Sequence, residues 1–139
     1  GIREDLLQKT GLLASQDVYP AQLSGGMKQR LEIARALSVQ PQLLLMDEPF
    51  KSLDVALKYQ LQDLILAEQA KEGFAVLFIT HDPIEAVMLA DRVIVLSDKP
   101  TRIYEELFID MPRELRQITD EQIYGKSEEI LDFLLRRST

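Results

Sequence analysis

Leu23-Ser24-Gly25-Gly26-Met27-Lys28-Gln29-Arg30 is followed, seventeen residues after Arg30, by Asp47-Glu48-Pro49, and no other feature constrains this chain as strongly. A serine hydroxyl and two side-chain-free amides at the mouth of a helix make an arrangement that holds phosphate. Two carboxylates at the end of an apolar strand hold Mg²⁺ and orient a water. Together the segments point to nucleotide hydrolysis. A Gly-x-x-x-x-Gly-Lys-Ser/Thr loop, which would grip the β and γ phosphates in cis, does not occur in the 139 residues. The chain therefore reads as part of a nucleotide hydrolase.

At this length there is room for one domain with a modest core. The net charge of −7 argues against a general nucleic-acid grip, which needs a basic surface. With no cysteine, disulfides, thiol catalysis and cysteine-based zinc sites are excluded. No uncharged apolar run approaches the ~18–20 residues needed to cross a bilayer, so a membrane role is expected to come through a partner and not by direct insertion. Opening on Gly1, with the charged Gly1-Ile2-Arg3-Glu4-Asp5, suggests a fragment, a processed chain or a tag remnant, and offers no apolar stretch for a secretory signal.

Along the chain, residues 2–9 read as a helix stopped at Gly11, and residues 26–39 as a second helix closed by Pro41. Leu43 to Met46 is a short apolar run suited to a strand covered on both faces. Leu57, Leu61, Leu64 and Ile65 mark an amphipathic helix over 54–71, stopped by Gly73, and residues 74–80 follow as a second buried strand. Asp82 caps the next helix, with Pro83 in its first position and Glu85 able to reach back. Residues 93–96 and 102–109 complete the strands, an α/β rhythm that implies a parallel sheet. Beyond Met111, Thr119 with Gln122 suggests a capping box, and Ser127-Glu128-Glu129 the start of a helix with Ile130, Phe133 and Leu134 on its apolar face. The chain is thus expected to divide into 1–40, 41–110 and 111–139.

Separately, each motif has an ordinary explanation: a cap and turn, a strand end with solvated acids, a histidine at a core edge. Their order on one chain changes that. Leu23-Ser24-Gly25-Gly26-Met27 resembles the signature motif of ATP-binding-cassette (ABC) ATPases, and Leu43 to Glu48 resembles their Walker B strand. Ser52-Leu53-Asp54 is similar to the D-loop, and His81, within Thr80-His81-Asp82, to the switch histidine. Tyr19-Pro20-Ala21-Gln22, the trailing Gln29-Arg30 and Ala34-Arg35-Ala36-Leu37, and Ala90-Asp91-Arg92-Val93 extend the likeness over roughly residues 5–110.

The resemblance implies a partial P-loop NTPase fold of mostly parallel sheet with part of the helical subdomain, lacking the Walker A strand. It implies ATP and Mg²⁺ as ligands, with Asp47 holding the metal, Glu48 polarising the attacking water and His81 hydrogen-bonding the γ-phosphate. It also implies that Ser24, Gly25, Gly26 and Met27 meet the nucleotide of an opposite subunit, and that Asp54 lies at that interface. The functional unit would be a dimer bound to transmembrane permease subunits at the inner face of the cell membrane, with no nucleic acid. Met27 stands in place of the usual glutamine, and Lys51 where relatives often have glycine. Met27, the Pro49-Phe50 pair and Leu96 to Ile103 resemble importers of nitrate, sulfonates and taurine. This portion alone is expected to bind ATP poorly and to leave two apolar strand edges uncovered. A DNA- or ribosome-associated ABC ATPase and a non-catalytic fragment are the competing readings.

Overall fold

Gly11, at a φ of +68°, turns the backbone away from α1 (Glu4–Lys9). A Cβ there would lie 3.0 Å from Arg30 Nη1, which itself donates to the Thr10 carbonyl at 3.0 Å. Left-handed backbone and close approach both require glycine at this position. The computed structural model describes residues 3–51 and 53–136. They fall into two units, Gly1–Ile79 and Thr80–Thr139. The division lies within the 41–110 segment that the sequence reading takes as one body.

The first unit carries α1, α2 (Gly25–Ser38), β1 (Leu43–Asp47), α3 (Val55–Glu72) and β2 (Ala75–Ile79). Asp54 caps α3 by accepting from the Leu57 amide at 3.0 Å, and Gly73, at a φ of +75°, ends it in the left-handed turn that glycine permits. β1 and β2 run parallel with Leu43 opposite Ala75 and Asp47 opposite Ile79. A parallel pair needs a long crossover, and α3 supplies it.

Covering on both faces is not what these strands show. Leu44 is 4% exposed, while Leu45 is 64% exposed. Successive strand side chains point to opposite faces, so one face is covered and the other presents Leu43, Leu45, Leu77 and Ile79.

One carboxylate is deeply buried in this unit. Glu68 on α3 accepts from Arg3 Nη2 at 2.9 Å and from Lys9 Nζ at 2.6 Å. Those contacts, the Lys9 hydrogen bond foremost, hold the Glu68 carboxyl below its ordinary range against the opposing effect of burial. The same hydrogen bond raises Lys9.

The second unit holds α4 (Pro83–Leu89), β3 (Arg92–Leu96), β4 (Ile103–Phe108) and α5 (Glu121–Arg136). β4 returns antiparallel to β3, with Arg92 opposite Phe108. The short connection over 97–102 is too brief for a parallel crossover, so among the described residues one strand pair is parallel and one antiparallel. Val87, Val93, Val95, Leu107, Ile109, Ile123 and Ile130 form the core.

α5 starts earlier than Ser127. Asp120, not Thr119, accepts from the Gln122 amide, at 2.8 Å, and the helix runs on through Gly125. Burial of Ile123, Ser127 and Ile130 on one face outweighs the poor helix propensity of a single glycine.

Arg116 is the buried cation of this unit. Its guanidinium donates to five carbonyls, those of Val87 (2.9 Å), Met88 (3.3 Å), Ala90 (2.7 Å), Ile109 (3.4 Å) and Met111 (2.9 Å). Three of them belong to the end of α4, where unpaired carbonyls favour a cation. Burial lowers its pKa, opposed by the nearby Asp91 charge.

Candidate functional site

Ser24 is the N-cap of α2, its Oγ accepting from the Met27 amide at 3.2 Å. The first intrahelical bond, from the Lys28 amide to the Ser24 carbonyl at 2.9 Å, lies beyond Gly25 and Gly26. Amides at those positions have no acceptor within their own helix and face outward along its axis. A Cβ on Gly25 would meet nothing within 4 Å, and one on Gly26 only Leu53 Cδ2 at 3.8 Å. The helix mouth is open to an anion, and the half-buried Met27 sits just behind it.

At the end of β1, Asp47 is exposed and Glu48 half-buried. The Glu48 amide continues the sheet by donating to the Ile79 carbonyl at 2.9 Å. There the chain turns sharply: Glu48 has a φ of +48°, and its carbonyl accepts from the Lys51 amide at 3.2 Å. Pro49 takes the second position of that turn, where its fixed φ is favourable. A non-glycine residue in the left-handed region is uncommon and costs about 1–3 kcal/mol unless its surroundings hold it there.

Gln29, on the second turn of α2, reaches this bend. Its Nε2 donates to the Pro49 carbonyl and, at 3.4 Å, to that of Glu48. The anion-facing helix and the paired carboxylates are thereby tied together within the first unit. Asp54, which opens α3 in the same unit, has one oxygen committed to its cap. Ser52, its companion in the motif, lies outside the described residues.

His81 belongs to the second unit, exposed in the segment before α4. Buried Glu85 accepts from Thr80 Oγ1 at 2.5 Å, and Thr80 Oγ1 accepts from the Asp82 amide at 3.1 Å. Asp82 in turn accepts from the amides of Ile84 (2.9 Å) and Glu85 (3.4 Å). The residues on either side of His81 are therefore pinned. The sequence reading anticipated the Asp82 cap but not the Thr80 hydroxyl as intermediary. Gln29 was read only as part of the family likeness, and Arg116 was not singled out: a long polar side chain gives no local sign of a distant carbonyl.

Among the described residues no three His, Asp or Glu side chains converge as a metal cage. Mg²⁺ does not need one, since it keeps several waters and takes one or two carboxylates alongside substrate phosphates. An exposed Asp47 at a strand end fits that donor set.

The ABC transporter family profile matches residues 3–51. The nitrate import ATP-binding protein of Synechococcus elongatus is 44% identical over 135 residues, which span 94% of this chain and 49% of that protein. The chain belongs to the ABC transporter ATP-binding family. An aliphatic sulfonates import ATP-binding protein of Xanthomonas axonopodis pv. citri is 46% identical over 110 residues, covering 79% of this chain and 44% of its own length. A solved ATP-binding subunit of an ABC transporter superposes with a TM-score of 0.73 at 26% identity, over 97% of this chain and 52% of that one. The ABC ATPase fold is thus present in part, and the chain spans about half the length of the curated relatives it matches. No helix among the described residues is long and apolar enough to cross a membrane.

Proposed function

We propose that this chain is the signature- and Walker B-bearing part of an ATP-hydrolysing subunit that drives solute import. The observation that carries the proposal is the open, serine-capped mouth of α2 tied through Gln29 to the Asp47-Glu48 bend. In this reading Ser24, Gly25 and Gly26 receive the γ-phosphate of ATP held by a second ATP-binding subunit, beside Met27. Asp47 holds Mg²⁺, which supplies charge neutralisation for the phosphates. Glu48 orients the attacking water, and His81 donates to the γ-phosphate. Phosphoryl transfer is mostly positioning and charge stabilisation, which suits carboxylates fixed at a paired strand end. Asp54 stands at the contact between the two subunits.

The exposed apolar face of β1 and β2 supports burial against further polypeptide of the same subunit. The names of the nitrate and sulfonate relatives support a small oxyanion as cargo. Transmembrane permease subunits would carry that cargo, with the ATPase peripheral on the cytoplasmic face. The test is Glu48→Gln in the complete subunit assembled with its permease. Hydrolysis should fall by about 100-fold or more while ATP binding persists. An unchanged rate overturns the assignment of Glu48.

A further inference from the structure

We propose that Gln29 is a positioning residue: its side-chain amide holds the Glu48 bend in its left-handed conformation and couples it to the phosphate-facing end of α2. The inference rests on the reading of Glu48 given above. The bend is restrained along the strand, by the Glu48 amide on the Ile79 carbonyl, and within the turn, by the Lys51 amide on the Glu48 carbonyl. Both are backbone contacts of the β1–β2 pair and its exit. The donation from Gln29 Nε2 to the carbonyls of Glu48 and Pro49 comes instead from another element, nineteen and twenty residues away in sequence.

That element is also the one whose first turn faces the anion. Ser24 and Gln29 ride on one short stretch of helix, about 7.5 Å of rise apart, and a helix moves as a rigid piece. Any shift of the mouth when phosphate docks is carried to the Gln29 amide, and through its hydrogen bonds to the carbonyls of Glu48 and Pro49 into the bend. In a pair of subunits the mouth meets the partner's nucleotide, whereas Glu48 acts on the nucleotide of its own subunit. Gln29 therefore reports occupancy of one site to the water-orienting carboxylate of the other.

The experiment is steady-state ATP hydrolysis by the complete subunit pair carrying Gln29→Glu, which keeps the shape and removes the donor. We expect kcat to fall about 10- to 100-fold with KM and ATP-driven pairing of the subunits retained. As pH is lowered, the introduced carboxyl gains a proton and becomes a donor again, so the ratio of variant to parent kcat should rise. Should Gln29→Glu fail to fold, Gln29→Met carries the same expectation for kcat and KM. The proposal is overturned if a folded variant keeps kcat within about two-fold of the parent. It is also overturned if kcat, pairing and melting temperature fall together without recovery at low pH. Glu48→Gln run alongside separates the two readings: if it hydrolyses ATP at the parent rate, the site assignment fails, and if it is inactive while the Gln29 variants are not, the clamp alone fails.

Discussion

Glu68 in the first unit and Arg116 in the second are both buried charges, and the two are stabilised in opposite ways. In the first, Glu68 is neutralised by the cations Arg3 and Lys9, whose side chains remain partly in water. In the second, Arg116 lies among backbone carbonyls, with its nearest carboxylate, Asp91, 3.9 Å away. A pair of opposite ions depends on both protonation states. A guanidinium surrounded by carbonyl dipoles does not, because its charge persists across the accessible pH range and the dipoles do not titrate. The first unit should thus respond to pH and the second to loss of a single side chain.

The largest effect is expected from Arg116→Met, which keeps the apolar stem but strips the donor from five carbonyls. A loss of about 3–5 kcal/mol follows from leaving buried acceptors unpaired. Amide hydrogen exchange should speed up over α4 and α5 and stay unchanged over β1 and β2. Faster exchange in both units would break the contrast.

Glu68→Gln comes next, at about 2 kcal/mol near neutral pH, since Arg3 and Lys9 can recover part of their hydration once released. Glu68 titrates below its unfolded value of roughly 4.3, so its contribution is complete above that pH and disappears as pH falls through the lower, folded value. Melting curves of parent and variant should therefore converge in acid. Lys9 is the mirror case: its contribution is complete below roughly 10.4 and is lost as pH rises through its raised folded value. A gap that persists unchanged into strong acid would show that Glu68 acts through packing alone.

Gly11→Ala should cost least, about 1 kcal/mol from the left-handed backbone, plus whatever Arg30 loses in moving away from the new Cβ. Chemical denaturation measures it. No loss would mean that Arg30 swings aside freely and that its bond to Thr10 contributes little.

The contrast between local and distant contacts also explains what could be read in advance. Ser24 and Asp82 cap helices through amides two or three residues ahead, and Gly73 ends α3 through its own backbone. Such contacts are written into neighbouring residues and were legible; the like cap that Asp54 makes for α3 was not read, Asp54 having been given only an interface role. α5 was misplaced at its start because Thr119 and Asp120 offer competing caps, and burial of Ile123 is what extends the helix past Gly125. The strands were read as buried on both faces because Leu43-Leu44-Leu45-Met46 is apolar without alternation, a pattern that says what a strand can bury and not what this chain lays against it.

By itself the sequence determined the order and spacing of the phosphate-facing cap, the paired carboxylates and the histidine, together with the helix ends between them, since these follow from steric and hydrogen-bonding rules acting within a few residues. Tertiary structure alone decided that Gln29 meets the Glu48 bend and that Arg116 closes α4. Those contacts join residues nineteen to twenty-nine positions apart, and a long polar side chain is indifferent in sequence to which carbonyl it reaches. Only the packing of helix against strand brings the right one within hydrogen-bonding distance.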